Sequence, residues 1–292
     1  MSIDQSVPST LSDTERVAES RLPGIAVKKS TSILSIFVPP LLLGVVFVGF
    51  WYLSSYVLLE KGKRFLLKPP HKVIDKGFLD GAQFSEMMQG LGRSAKVAVI
   101  GLLIATLLGV ALATIMSQSK FFERAIFPYA VMLQSVPILA ITPLISLVLG
   151  FGTNSRIFVC VLIAIFPIVV NTLFGLLSAD EGMHDLFTLH KASRTTRLTK
   201  LMFPAALPAI FTGLRISAGL SVIGSIVGDF IFGQGPVGIG QLIKRYAART
   251  EGEHLMAGVI MSCLFGVLVF SLFGWISNRA IGKWATTSRG RS

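Results

Sequence analysis

Apolar residues along this chain come in long runs separated by short polar segments. A helix rises 1.5 Å per residue, so about 20 apolar residues cross the ~30 Å hydrocarbon core of a bilayer. Six runs are long enough: Ile33–Leu59, Val97–Met116, Ala125–Leu149, Ile157–Leu177, Ala209–Phe232 and Leu255–Ile276. The pattern predicts an all-α membrane protein with six transmembrane helices. It divides into an N-terminal tail over 1–31, a membrane domain over 32–284 and a C-terminal tail over 285–292. The first tail is polar and mixed in charge, and the run after it is too long for a signal-peptide core.

The third run contains Pro128, Pro137 and Pro143. Each proline removes a backbone donor, and broken helix at membrane depth is tolerated where protein or a water-filled cavity surrounds it. Kinked packing and a wall of a solute pathway are both open readings, the second making Pro137 and Pro143 pathway candidates. In the fifth run Gly224 and Gly228 have the GxxxG spacing of close helix packing. Arg215 and Asp229 share that run, fourteen residues apart. That is about 21 Å along a helix, too far to pair. Asp229 is a candidate gate residue, with anchoring of a helix end as the alternative.

The polar segment 179–203 is the longest between runs on its side. It mixes Leu186, Phe187 and Leu189 with acids and bases. An amphipathic docking helix and a basic loop held by lipid headgroups both fit.

Composition agrees with the membrane reading. Hydrophobic residues make up 52% and charged residues 14%, with mean hydropathy +0.70; soluble domains carry about 25% charged residues. The net charge of +12 is spread between apolar runs, which suits lipid headgroups and argues against a nucleic-acid partner. A small majority of the 27 Lys and Arg lie on the side of the termini, so both termini and segment 179–203 are expected in the cytoplasm. Segment 60–96, rich in lysine, opposes this trend. The four histidines lack metal-ligand spacing, and no Walker A pattern occurs. Gly233–Gly238 has the GxGxxG spacing but follows an apolar helix rather than a strand, so it reads as a glycine-rich loop. Nothing clusters as an enzyme site would, and no catalytic residue, metal or cofactor is expected.

Several blocks then resemble one family. PAALPAIFTGLRISAGL, QSVPILAITPLISLVLGFG, FPIVVNTLFGLLSAD and GDFIFGQGPVGIGQLI, all within residues 85–285, are similar to binding-protein-dependent ABC permeases. The closer match is to the subfamily serving nitrate, sulfonate, taurine and pyrimidine-type solutes. The resemblance implies a type I ABC importer permease fold in a bacterial inner membrane. It implies a separate ABC ATPase that uses the ATP, an external solute-binding protein, and a homodimer or heterodimer of permeases. It also implies that 179–203 is the ATPase-coupling loop. Counted back from Pro204, the family's glycine falls at Lys191, with Ala192 and Ser193 matching after it. The family's Glu-Ala-Ala falls at Asp185-Leu186-Phe187, so one acid is kept and both alanines and the glycine are lost. An ion-gradient-driven secondary transporter is the alternative, but it calls for internal repeats and midplane acids, and neither is found.

Overall fold

The computed structural model describes residues 33–58 and 67–285, and every regular element among them is helical. The expected tail 1–31 and residues 286–292 lie outside the described residues. The chain forms two compact units, one ending at Phe50 and the other beginning at Trp51. Helix α1 (Ile33–Leu53) runs on into a π-turn, Ser54–Leu58, and contains the apolar span Val38–Val57.

In the second unit, α2 (Pro70–Val73) and a π-turn, Ile74–Leu79, lead into α3 (Gly81–Ser117). Helix α3 starts sixteen residues before the apolar run because Asp80 caps it, accepting from the amides of Ala82 and Gln83. Then come α4 (Lys120–Ser135), α5 (Ile138–Leu149) and α6 (Thr153–Leu177). Two short helices follow, α7 (Glu181–Leu189) and α8 (Arg194–Arg197). Through a π-turn, Leu198–Met202, α8 continues into α9 (Phe203–Ile231), so Arg194–Ile231 forms one long span. Helices α10 (Ile239–Ala248) and α11 (Gly252–Ala285) are the last of the described elements. Among the described residues five helices are long and apolar enough to cross a membrane, or six if the bent pair α4–α5 is one span.

Helix α6 is central. Its Ala164, Ile165, Ile168, Val169 and Leu173 pack against α3 and α9 in one buried cluster. Small residues let the backbones approach, which drives helix association where lipid gives no hydrophobic force. A Cβ at Gly224 would lie 2.8 Å from the Cα of Cys160, and one at Gly228 would lie 3.0 Å from that of Arg156. The GxxxG pair therefore does what its spacing predicted. A second cluster joins Val73, Met87, Leu242, Tyr246 and Ala257, seating amphipathic α10 on α2, α3 and α11.

The expected third span is two helices that meet at 100°. Val136 and Pro137 are extended at the corner, and Pro137 caps α5. Pro128 and Pro143 lie inside α4 and α5 without breaking them.

Candidate functional site

At one end of the bundle α3, α6 and α9 meet around a buried ion pair. Arg156, in the first turn of α6, places Nη1 3.1 Å from Oδ1 of Asp229 on α9. Both are almost fully buried. The other Asp229 oxygen accepts from the Ser94 hydroxyl on α3. Ser94 Oγ in turn accepts from the amide of Ile239 at 2.9 Å. The Gly240 amide also faces the carboxylate, and a Cβ at Gly238 would overlap it. Of the GxGxxG glycines, Gly238 therefore serves close approach to an acid, while Gly235 holds a left-handed φ of +94° in the loop.

Arg156 does more than neutralise Asp229. Its Nε donates to the Phe232 carbonyl at 3.0 Å, Nη1 also to that of Pro236 at 2.8 Å, and Nη2 to that of Gln234 at 2.7 Å. One guanidinium thus ties three alternate carbonyls of the loop 232–238. Gln241 adds a bond to Phe232 O, Lys244 one to Phe230 O and Arg93 one to Val237 O. The loop's outer residues, Gly233 to Pro236, are exposed. The structure therefore gives Asp229 a partner that spacing did not reveal. It is neither a lipid-facing anchor nor a free acid on an open path. Arg215 lies elsewhere, stacked over the Phe270 ring at 4.2 Å.

Outside the spans, α10 is tied to α3 by Arg245–Glu86 at 2.8 Å and by Tyr246, whose hydroxyl accepts from Gln83. Burial, and then the Glu86 carboxylate, push the Tyr246 phenol up to about 12.

The corner of α4 and α5 holds a cavity of about 190 Å³, lined by Gln134 and apolar side chains that include Leu133, Val136, Ile138 and Leu162. Pro137 shapes this corner as the residue that opens α5, whereas Pro143 lies further along that helix.

At the opposite end of the bundle is segment 179–203. It is a loop only in part: from Arg194 it is helix, capped by the Ser193 hydroxyl on the Thr196 amide at 3.1 Å. Helix α7 is capped by Asp180, which accepts from the Met183 amide; Asp185 is a mid-helix, exposed residue and not the cap. Leu186 and Leu189 are exposed, at 43% and 80%, and Met183 flanks them at 43%. Phe187 turns toward the chain's own side and is half-buried with His184. The outward apolar pair is therefore Leu186 and Leu189, with Phe187 off that face. The reason is the helical period: 186 and 189 share a face that 187 does not. Lys191 follows the C-cap with φ +49°. The Ala192 amide bonds to Phe187 O and the Lys191 amide to Thr188 O, both at 2.9 Å. This is the Schellman stop, which favours glycine at the left-handed position, so the position aligned with the family's glycine is one where the backbone asks for it. Ala192 and Ser193 link α7 to α8, and Pro204 follows directly on the π-turn, inside the continuous helix from Arg194.

Sequence reasoning missed Arg156, Ser94 and the inward face of α7. Arg156 follows Thr-Asn-Ser and precedes the apolar run, so it reads as loop. The available signal was Asp229 itself, since an acid within a span requires a partner.

Residues 105–282 match the model of the family described as binding-protein-dependent transport system inner membrane component. The formylaminopyrimidine transport permease protein ThiX of Halalkalibacterium halodurans is 30% identical over 241 residues, covering 82% of this chain and 93% of its own length. The nitrate import permease protein NrtB of Synechocystis is 33% identical over 229 residues, covering 78% and 80%. The crystal structure of an amino acid ABC transporter superposes with a TM-score of 0.53 at 15% identity, covering 69% of this chain and 98% of that one, which supports the fold. With its apolar spans, central small-residue packing and matched domain, this chain belongs to the binding-protein-dependent inner-membrane permeases of ABC importers.

Proposed function

We propose that the chain forms half of a solute pathway and is driven through α7 by an ATPase carried on another chain. The observation that carries this is the exposed apolar pair Leu186 and Leu189 on a nine-residue helix slung between two spans. A water-facing helix gains nothing from such a face, whereas a partner groove would bury it. The Schellman stop ends α7 and the Ser193 cap starts α8 directly after it, so force on α7 passes to α8 and along the continuous helix to Ile231. The pathway half is the bent pair α4–α5, whose apolar side chains Tyr129, Leu139 and Leu147 are exposed at 71%, 75% and 83%. A second permease, identical or homologous, covers such a face and completes the cavity at Gln134. Both termini and α7 lie on the cytoplasmic side, and an external binding protein delivers a small solute of the nitrate, sulfonate or pyrimidine kind to the loop end. Alternating access then follows from ATP binding shifting an inward–outward equilibrium.

The test uses the reconstituted importer with its ATPase and binding protein. Replacing Leu186 and Leu189 together by alanine should lower solute-stimulated ATP hydrolysis and uptake in parallel, by about tenfold or more if an interface anchor is lost. The amount of chain in the membrane should not change. Full stimulated hydrolysis in that variant, or uptake driven by an ion gradient without ATP, would overturn the proposal.

A further inference from the structure

Beneath α7, on the side away from Leu186 and Leu189, lies a second cavity of about 340 Å³. Its polar wall is Ser117, Gln118, His184, Arg194 and Arg197. Its apolar floor is Leu176, Leu177 and Met202. Three spans reach their ends here, α3 at Ser117, α6 at Leu177 and α9 through Met202, so the cavity sits where hydrocarbon gives way to headgroups.

The charges in it are unbalanced. Among the described residues no carboxylate lines the cavity, and neither arginine has a carboxylate partner. The acids on α7 are engaged or turned away: Asp180 caps the helix and Asp185 is exposed. Arg197 spends Nη2 on the Thr188 hydroxyl at 2.9 Å. Its Nε is buried without any partner. A donor withdrawn from water and left unpaired is costly, and two arginines over an apolar floor call for an anion. Arg197 Nη1 and the Arg194 guanidinium keep donors for phosphate oxygens, as charge-assisted hydrogen bonds. Ser117, Gln118 and His184 add further polar groups around it.

We propose that this pocket binds a phosphate group, with Arg197 and Arg194 as its main ligands. The phosphate belongs either to an anionic lipid headgroup, whose glycerol end would rest on Leu177 and Met202, or to a free phosphate anion. Because His184 and Thr188 are on α7, the bound anion ties that helix to the ends of α3, α6 and α9. The occupancy of the pocket needs no ATPase, so its failure and the failure of α7 docking are distinguishable.

The experiment takes the full chain in neutral detergent. Retained lipid is counted by native mass spectrometry after addition of phosphatidylglycerol or phosphatidylcholine, and melting is followed with inorganic phosphate. The wild type should hold one phosphatidylglycerol in preference to phosphatidylcholine, or be stabilised by phosphate. Arg197→Ala should weaken that binding on the order of tenfold, as loss of charge-assisted hydrogen bonds does. Arg197→Lys should recover part of it, and Arg249→Ala, elsewhere on the surface, should change nothing. Phosphatidylglycerol retained without a phosphate effect identifies a lipid site; stabilisation by phosphate alone identifies a free anion. If Arg197→Ala does not reach the membrane, exposed Arg194→Ala carries the same comparison. Equal lipid retention by the wild type, Arg194→Ala and Arg197→Ala, with no effect of phosphate on any of them, would overturn the proposal.

Discussion

At the residue scale the decisive feature is a charge pair that no local spacing announces. Arg156 and Asp229 are 73 positions apart and both buried. Breaking such a pair strands one charge, at a cost of about 3–5 kcal/mol. Asp229→Asn should therefore lower the melting temperature of the purified chain sharply. Asp229→Glu, which keeps the charge but must fit beside Gly238 and Gly240, should cost less. Arg156→Lys separates the two tasks of the arginine: an ammonium can still meet Asp229 but cannot reach three carbonyls in a fixed fork. Its effect should appear as faster hydrogen exchange in loop 232–238, with smaller changes in the core of α6. Equal melting of the wild type and Asp229→Asn would show that the pair contributes no stability. The acid was legible from the sequence because charges are rare in spans. Its partner was not, because helical periodicity reports on neighbours within one helix and is silent about contacts across 73 residues.

At the element scale the apolar runs marked the long spanning helices but not the short ones at Glu181–Leu189 and Ile239–Ala248, and tertiary and capping interactions set where the spans begin and bend. Val97–Met116 was legible as a span, but the polar first half of α3 was hidden until Asp80 was seen to cap it and Arg245 to pair with Glu86. The prolines marked the third span as irregular; the 100° corner at Val136–Pro137 needed coordinates. Segment 179–203 left a docking helix and a basic loop both open, and the side on which Phe187 lies was set by the helix that forms at Glu181–Leu189. The stop after α7 gives a clean test. Lys191 holds a left-handed backbone that costs a side-chain-bearing residue roughly 1 kcal/mol relative to glycine. Lys191→Gly should slow hydrogen exchange at the amides of residues 190–192 and leave ATPase coupling at or above the wild-type level. Lys191→Val, β-branched at the same φ, should speed exchange and weaken coupling. Faster exchange in the glycine variant would contradict the Schellman assignment.

At the scale of the whole molecule the two ends of the bundle are built differently. One end is a loop held by Arg156, Gln241 and Arg93, with Lys244 bonded to the last turn of α9; the other is a short helix with an exposed apolar face over a basic pocket. If the second end is cytoplasmic, single cysteines at Ser119 and Thr195 should resist an impermeant thiol reagent applied from outside, whereas one at exposed Gln234 should react. The exposed Cys263 must first be replaced. External labelling at Thr195 would reverse the orientation. The ion pair also has a consequence for how the chain is made. Arg156 is synthesised 73 residues before Asp229, an interval of about 4–15 s at ordinary elongation rates. Throughout that time α6 has no acid to receive its guanidinium, so it must wait with that end held among headgroups or insertion factors. The arrival of α9 is what allows α6 to be drawn fully into place, and a nascent chain stopped short of Asp229 would display an orphan cation by which quality control could recognise it.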